Sequence, residues 1–134
     1  MRWMAAAHVK WLSGVFVFLS ACEPATECVV GRVGSVTILD TDVERLRARL
    51  APAPAGPSAV ELMLDCQVAF QEQTAETRLA TPEEALQAYH QFWRDVRRDT
   101  GTVPERWAEL GASSMRGLRK KHQASAGPCV LAPR

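Results

Sequence analysis

The sequence predicts a mainly α protein: one small helical domain with a minor N-terminal β-hairpin, and a C-terminal strand as a candidate third member of that sheet. Three observations predict it. Apolar residues recur at helical spacing in several stretches opened by capping signatures. Two valine-rich runs flank a Gly-Ser pair near the start. The chain has 134 residues, 47% hydrophobic and 23% charged, which is globular composition and enough for one domain. A formal charge of +1 gives no global basic field and no argument for nucleic acid.

The chain opens with a leader. Arg2 and Lys10 precede the uncharged run Trp11 to Ala21, which is too short to span a bilayer as a helix, a task that needs about 20 residues. A basic start, a short apolar run and small residues at its end read as a secretory signal over residues 1–21. Its end, Leu19-Ser20-Ala21-Cys22, resembles the lipobox of bacterial lipoproteins. That resemblance implies acylation of Cys22 and a membrane anchor. One acyl chain binds only marginally, whereas the two or three chains of lipoproteins hold stably. The alternative is a plain signal or short anchor with an incidental cysteine. In enteric lipoproteins an Asp after the acylated Cys retains the protein at the inner membrane; Glu23 departs from that signal and favours the periplasmic face of the outer membrane.

Residues 22–27 read as a tether, and residues 28–131 as the domain. Cys28 to Val33 and Val36 to Leu39 are β-prone around Gly34-Ser35, the pattern of a small hairpin. Asp40-Thr41-Asp42 opens a helix with Thr41 and Glu44 as a capping box and Val43, Leu46 and Leu50 on one face. Residues 51–58 form a proline-rich linker. Ser58 and Glu61 read as a second box, before a stripe of Ala59, Leu62, Met63, Cys66, Ala69 and Phe70 widened by Val60, Leu64 and Val68. This helix is expected at the centre of the core and to run out in the polar segment Gln71 to Arg78. Thr81-Pro82-Glu83-Glu84 opens the next, with Thr at the N-cap, Pro at N1 and Glu at N3. Its apolar side reads as Ala85, Leu86, Tyr89, Trp93 and Val96, and Gly101 as its end. Pro104 to Leu110 reads as a short helix stopped by Gly111, Ser114 to Gln123 as a basic helix, and Cys129-Val130-Leu131 as a β-prone trio.

Charge is uneven along the mature part. Residues 22–90 carry eleven acidic and five basic residues, residues 91–134 four acidic and nine basic. Either the two halves attract each other within one fold, or a basic surface faces lipid headgroups or an acidic partner.

The order CVVGRVGSVTILDTDVERL, a proline gap, AVELMLDCQVAFQEQ and LATPEEALQAY resembles the N-terminal region of SurA- and parvulin-type periplasmic peptidyl-prolyl isomerases, over about residues 28–123. Trp107 to Gln123 fills the place of that family's Arg-rich helix. Only eleven residues follow Gln123, so the family's isomerase domain is not expected and its activity is not carried over. The resemblance implies a chaperone-like module that holds unfolded envelope polypeptides. It also implies a C-terminal strand returning to the first strand, which makes Cys28–Cys129 the preferred disulfide among three possible pairings. In the chain-entropy model, closing so long a loop contributes up to about 4.7 kcal/mol. Cys66, in a core stripe, reads as a buried free thiol.

Candidate chemistry is sparse. There is no CxxC, no HExxH, no GxSxG and no P-loop, and His90 and His122 stand far apart. No metal, cofactor, catalytic residue or small-molecule substrate is expected. Tyr89, Phe92, Trp93 and Trp107 are a candidate peptide-binding set, because aromatics bury area at low entropic cost; the competing reading is that they are core. Phe92 is the member expected to be exposed, with Trp93 buried. Two functions follow as expectations: a non-catalytic, lipid-anchored holdase for envelope polypeptides, or a structural accessory subunit of an envelope export or motility assembly.

Overall fold

The computed structural model describes residues 27–100 and 104–133. Three strands and four helices follow in the order β1 (Val29–Val33), β2 (Val36–Leu39), α1 (Asp40–Arg47), α2 (Gly56–Thr74), α3 (Pro82–Thr100), α4 (Pro104–Lys121) and β3 (Ala124–Ala126). The protein is therefore mainly helical with a small sheet, as the sequence predicts. Cys22, the expected leader and most of the expected tether lie outside the described residues.

β1 and β2 form the hairpin, with Val33 opposite Val36 and Gly31 opposite Ile38. Gly34 supplies the positive φ, +62°, that the tight turn requires and a side chain resists. β1 is the middle strand, because the tail returns antiparallel to its other side. The returning strand is Ala124–Ala126, not the more β-prone trio at 129–131. Its register is set by the end of α4, where Gln123 turns at φ 55° and its carbonyl accepts the Gly34 N–H at 3.4 Å.

α1 starts directly off β2. That shifts its cap from the expected Thr41–Glu44 pair: Asp42 accepts the Leu39 N–H at 2.9 Å, Thr41 bonds Glu27, and Glu44 pairs with Arg47. The linker is shorter than predicted. α2 begins at Gly56, with Ala55 as N-cap and Pro57 in its first turn, where proline's missing N–H costs nothing. Ser58 is thus not a cap. At its other end α2 stops at Thr74, inside the polar segment predicted to end it.

α2 is the centre of the core, as predicted. Ala59, Met63, Leu64, Cys66, Val68, Ala69 and Phe70 are buried against Ile38, Val43 and Leu46 and against α3. Gln67 is buried with them, at 0% exposure. Its Nε2 donates to Gln71 Oε1 at 2.9 Å and to the Arg78 carbonyl at 2.8 Å, while its own Oε1 accepts the Ala80 N–H at 2.9 Å. One side chain thus fastens the 75–81 connection to the core.

The cap of α3 is the one the sequence predicts. The Glu84 N–H donates to Thr81 Oγ1 at 3.2 Å, and the Thr81 N–H donates to Glu84 Oε1 at 2.9 Å. Arg78 grips the same carboxylate at 2.9 and 2.7 Å. The Arg78 bond first, and then the Thr81 N–H, pull Glu84 down to about 2. A carboxyl held below its unfolded value, about 4.3, stabilises the fold above that value and loses the contribution as pH falls toward 2. The gap in Tm between the wild type and Glu84→Gln should therefore narrow as pH is lowered from about 4.5 to about 2; thermal melts across that window measure it.

The two oppositely charged halves meet within the fold. Arg119 Nε reaches Asp65 Oδ1 at 2.6 Å and its Nη2 reaches Glu61 Oε2 at 2.7 Å. Lys121 and His122 both reach Glu72, at 2.9 and 2.8 Å. Part of the asymmetry is thus spent on binding α4 to α2.

Candidate functional site

α3 presents Ala85, Ala88, Phe92 and Val96 to the core, a stripe at spacings of three and four. This corrects the predicted face by about one residue position. Phe92, expected outside, is 8% exposed, and Trp93, expected inside, is only half-buried. The reason is steric: two alanines let α3 approach α2 closely, which carries Phe92 inward and turns Tyr89 and Trp93 to the flank. Leu62 and Leu86, read as facing core residues, are likewise only partly buried.

Tyr89 and Trp93 then line a groove between α3 and α4, with Asp65 of α2 beneath. It encloses a cavity of about 270 Å³ completed by Gly111, Ala112, Met115, Arg116 and Arg119. The aromatic wall is held edge to face: Phe92 and Trp93 centroids lie 5.4 Å apart at 87°, and Tyr89 and Trp93 6.3 Å apart at 74°. α4 is one helix through Gly111, not two segments split there. A Cβ on Gly111 would run into the Trp93 indole, so this glycine is what allows the ring to lie against α4.

Trp107 does not join the groove. It packs against the core, and the Arg97 guanidinium stands over its ring, 5.5 Å from the centroid. Of the four aromatics singled out in the sequence, two therefore line the groove and two serve packing. Gly111 and Met115 were missed as lining residues. The signal that could have found Gly111 is a glycine embedded in a helical pattern without a break around it.

The groove's polar groups are graded. Burial raises the Asp65 carboxyl above its ordinary value, although the Arg119 hydrogen bond pulls the other way. Arg119 is committed to Asp65 and Glu61. Arg116, exposed at the rim, has no ion-pair partner among the described residues. An apolar wall beside one uncommitted guanidinium suits an apolar segment carrying a carboxylate.

The cysteines divide as follows. Cys66 is fully buried, and burial pushes its thiol up to about 12. Cys28 and Cys129 are half-buried and adjacent, all three being free thiols. A hydrogen bond with Cys28, ahead of burial, raises Cys129 to about 11. His90 is exposed. Among the described residues no cluster of three His, Cys, Asp or Glu stands close enough to hold a metal ion. No described helix is long and apolar enough to cross a membrane. Comparison with protein-family models, curated proteins and solved structures finds no match for this chain.

Proposed function

We propose that the chain is a non-catalytic, lipid-anchored binding protein of the bacterial envelope that serves one assembly as an accessory subunit. It would be held through Cys22 at the periplasmic face of the outer membrane. It would receive, in the groove between α3 and α4, an apolar segment of its partner flanked by a carboxylate. The observation that carries this is the half-buried Tyr89–Trp93 wall beside the uncommitted Arg116. Elsewhere on the described surface, Leu110 and Val130 are the large apolar side chains left exposed. A small groove with one charged rim residue suits a defined partner more than a wide range of clients. The second reading, a holdase for unfolded envelope polypeptides, draws on the same aromatic wall and on the likeness to the SurA-type N-terminal region.

The test is a pull-down of the detergent-solubilised, lipidated protein, with Arg116→Glu alongside. The expected result is one stoichiometric partner, bound at least tenfold more weakly by Arg116→Glu at an unchanged Tm, because Arg116 is exposed and holds nothing in the fold. A spectrum of unfolded porin-like clients, with suppressed aggregation of unrelated proteins, would establish the holdase instead.

A further inference from the structure

We infer that Cys28 and Cys129 form a disulfide that pins the C-terminal tail along β1, leaving Cys66 reduced. The inference does not depend on what the groove binds. It rests on the course of the tail beside β1. Gly31 stands opposite Ala126 and Arg32 opposite Ser125. Beyond these pairs β1 is irregular between Val29 and Gly31, and the tail slips by one residue against it. The tail nevertheless stays beside β1. The Gly127 N–H donates to the Val30 carbonyl at 2.9 Å, and the Cys129 N–H donates to the Val29 carbonyl at 3.0 Å. That last bond holds Cys129 beside Val29, the neighbour of Cys28, on backbones spaced like paired strands, about 4.8 Å apart, and a disulfide spans Cα atoms about 4.4–6.8 Å apart. The two side chains are close enough for Cys28 to raise the Cys129 thiol.

Cys28 is fixed from its own side as well. Its N–H donates to Asp40 Oδ1 at 3.2 Å and its carbonyl accepts the Asp40 N–H at 2.9 Å. Cys66 is excluded by position, sealed inside α2 at 0% exposure. Beyond Cys129 the tail forms one wall of a cleft of about 150 Å³, where Val130 and Leu131 stand across from Val30 and Val60. The bond would fix that wall against α2.

The chemistry needs a two-electron oxidant, and a low-molecular-weight disulfide supplies it. One cysteine, ionised, attacks a sulfur of the oxidant and expels a thiolate. The second then attacks the mixed disulfide and expels the other. The oxidant ends as two thiols, and the protein's two thiol protons pass to them or to solvent.

The test incubates the reduced full-length protein with oxidised glutathione, quenches with an alkylating agent, and digests with trypsin and a Glu-specific protease. The expected product joins the peptide Cys28–Arg32 to the peptide His122–Arg134, lighter by the two hydrogens lost. The Cys66 peptide should be alkylated only after unfolding. Quantitative alkylation or glutathionylation of Cys28 and Cys129, or a link from either to Cys66, would overturn the inference. Function gives a second reading: reduction should lower the wild-type Tm by about 10 °C. It should leave the Tm of Cys129→Ser unchanged, whereas an equal response from that variant would also overturn it.

Discussion

Replacing Gln67 by Leu should cost about 3–5 kcal/mol, although the new residue is apolar, of similar volume and set in an apolar core. The side chain bridges three groups that lie far apart in sequence: Gln71 Oε1, the Arg78 carbonyl and the Ala80 N–H. Leucine removes every bond and leaves all three groups to be desolvated, at about 1–3 kcal/mol each for those that find no water. Gln71 is 6% exposed and Ala80 4%, so water can reach them only if the 75–81 connection lifts. Chemical denaturation measures the loss. Hydrogen exchange should show the Ala80 amide losing protection while that of Ile38, in the sheet, falls only with global stability. The double variant Gln67→Leu, Gln71→Leu should recover part of the loss, because it removes one orphaned acceptor along with the donor. A single variant as stable as the wild type would mean that the amide contributes no net stability there.

Gln67 also shows where reading by pattern stops. Periodicity marks positions, and Gln67 stands among apolar residues on a helix buried nearly all round. Whether a polar residue there is tolerated depends on carbonyls and amides in a connection that no local rule places. The features that were legible carry their causes within a few residues: the Gly34 turn, and the Thr81–Glu84 box at the start of α3. The misread caps of α1 and α2 are close to this limit. Both had a matching pattern, but α1 leaves β2 without a loop and α2 gains its first turn from Pro57, so the helices begin before the predicted caps.

The candidate groove was half legible for the same reason. Tyr89, Phe92 and Trp93 are close enough on α3 that either of two stripes satisfies helical spacing. What decides between them is the size of the neighbours. Ala85 and Ala88 let the helices approach closely only if they, and with them Phe92, face α2. The charge asymmetry was open in the same way. Both halves of the chain had to be in place before Arg119 could be seen to bind Asp65 and Glu61, leaving Arg116 uncommitted at the rim.

Gly111 and Gly117, both within α4, should respond to the same substitution with opposite signs. Alanine is favoured over glycine in a helix interior by about 0.8–1.0 kcal/mol, because it has less backbone freedom to lose. At Gly117 a Cβ meets nothing within 4 Å, so Gly117→Ala should stabilise the protein by roughly that amount. At Gly111 the Cβ would run into the Trp93 indole. The ring cannot simply swing away, since it is wedged edge to face between Phe92 and Tyr89. Gly111→Ala must push α4 off α3 or force Trp93 from its rotamer, an overpacking cost of about 1–3 kcal/mol set against the propensity gain. Gly111→Val, larger and β-branched, should lose more. Urea melts measure the stability of each variant, and Trp93 fluorescence against a Trp93→Phe control reports displacement of the ring. Stabilisation by Gly111→Ala equal to that by Gly117→Ala would mean that the indole does not rest on α4. The groove would then lack the wall on which its binding role depends.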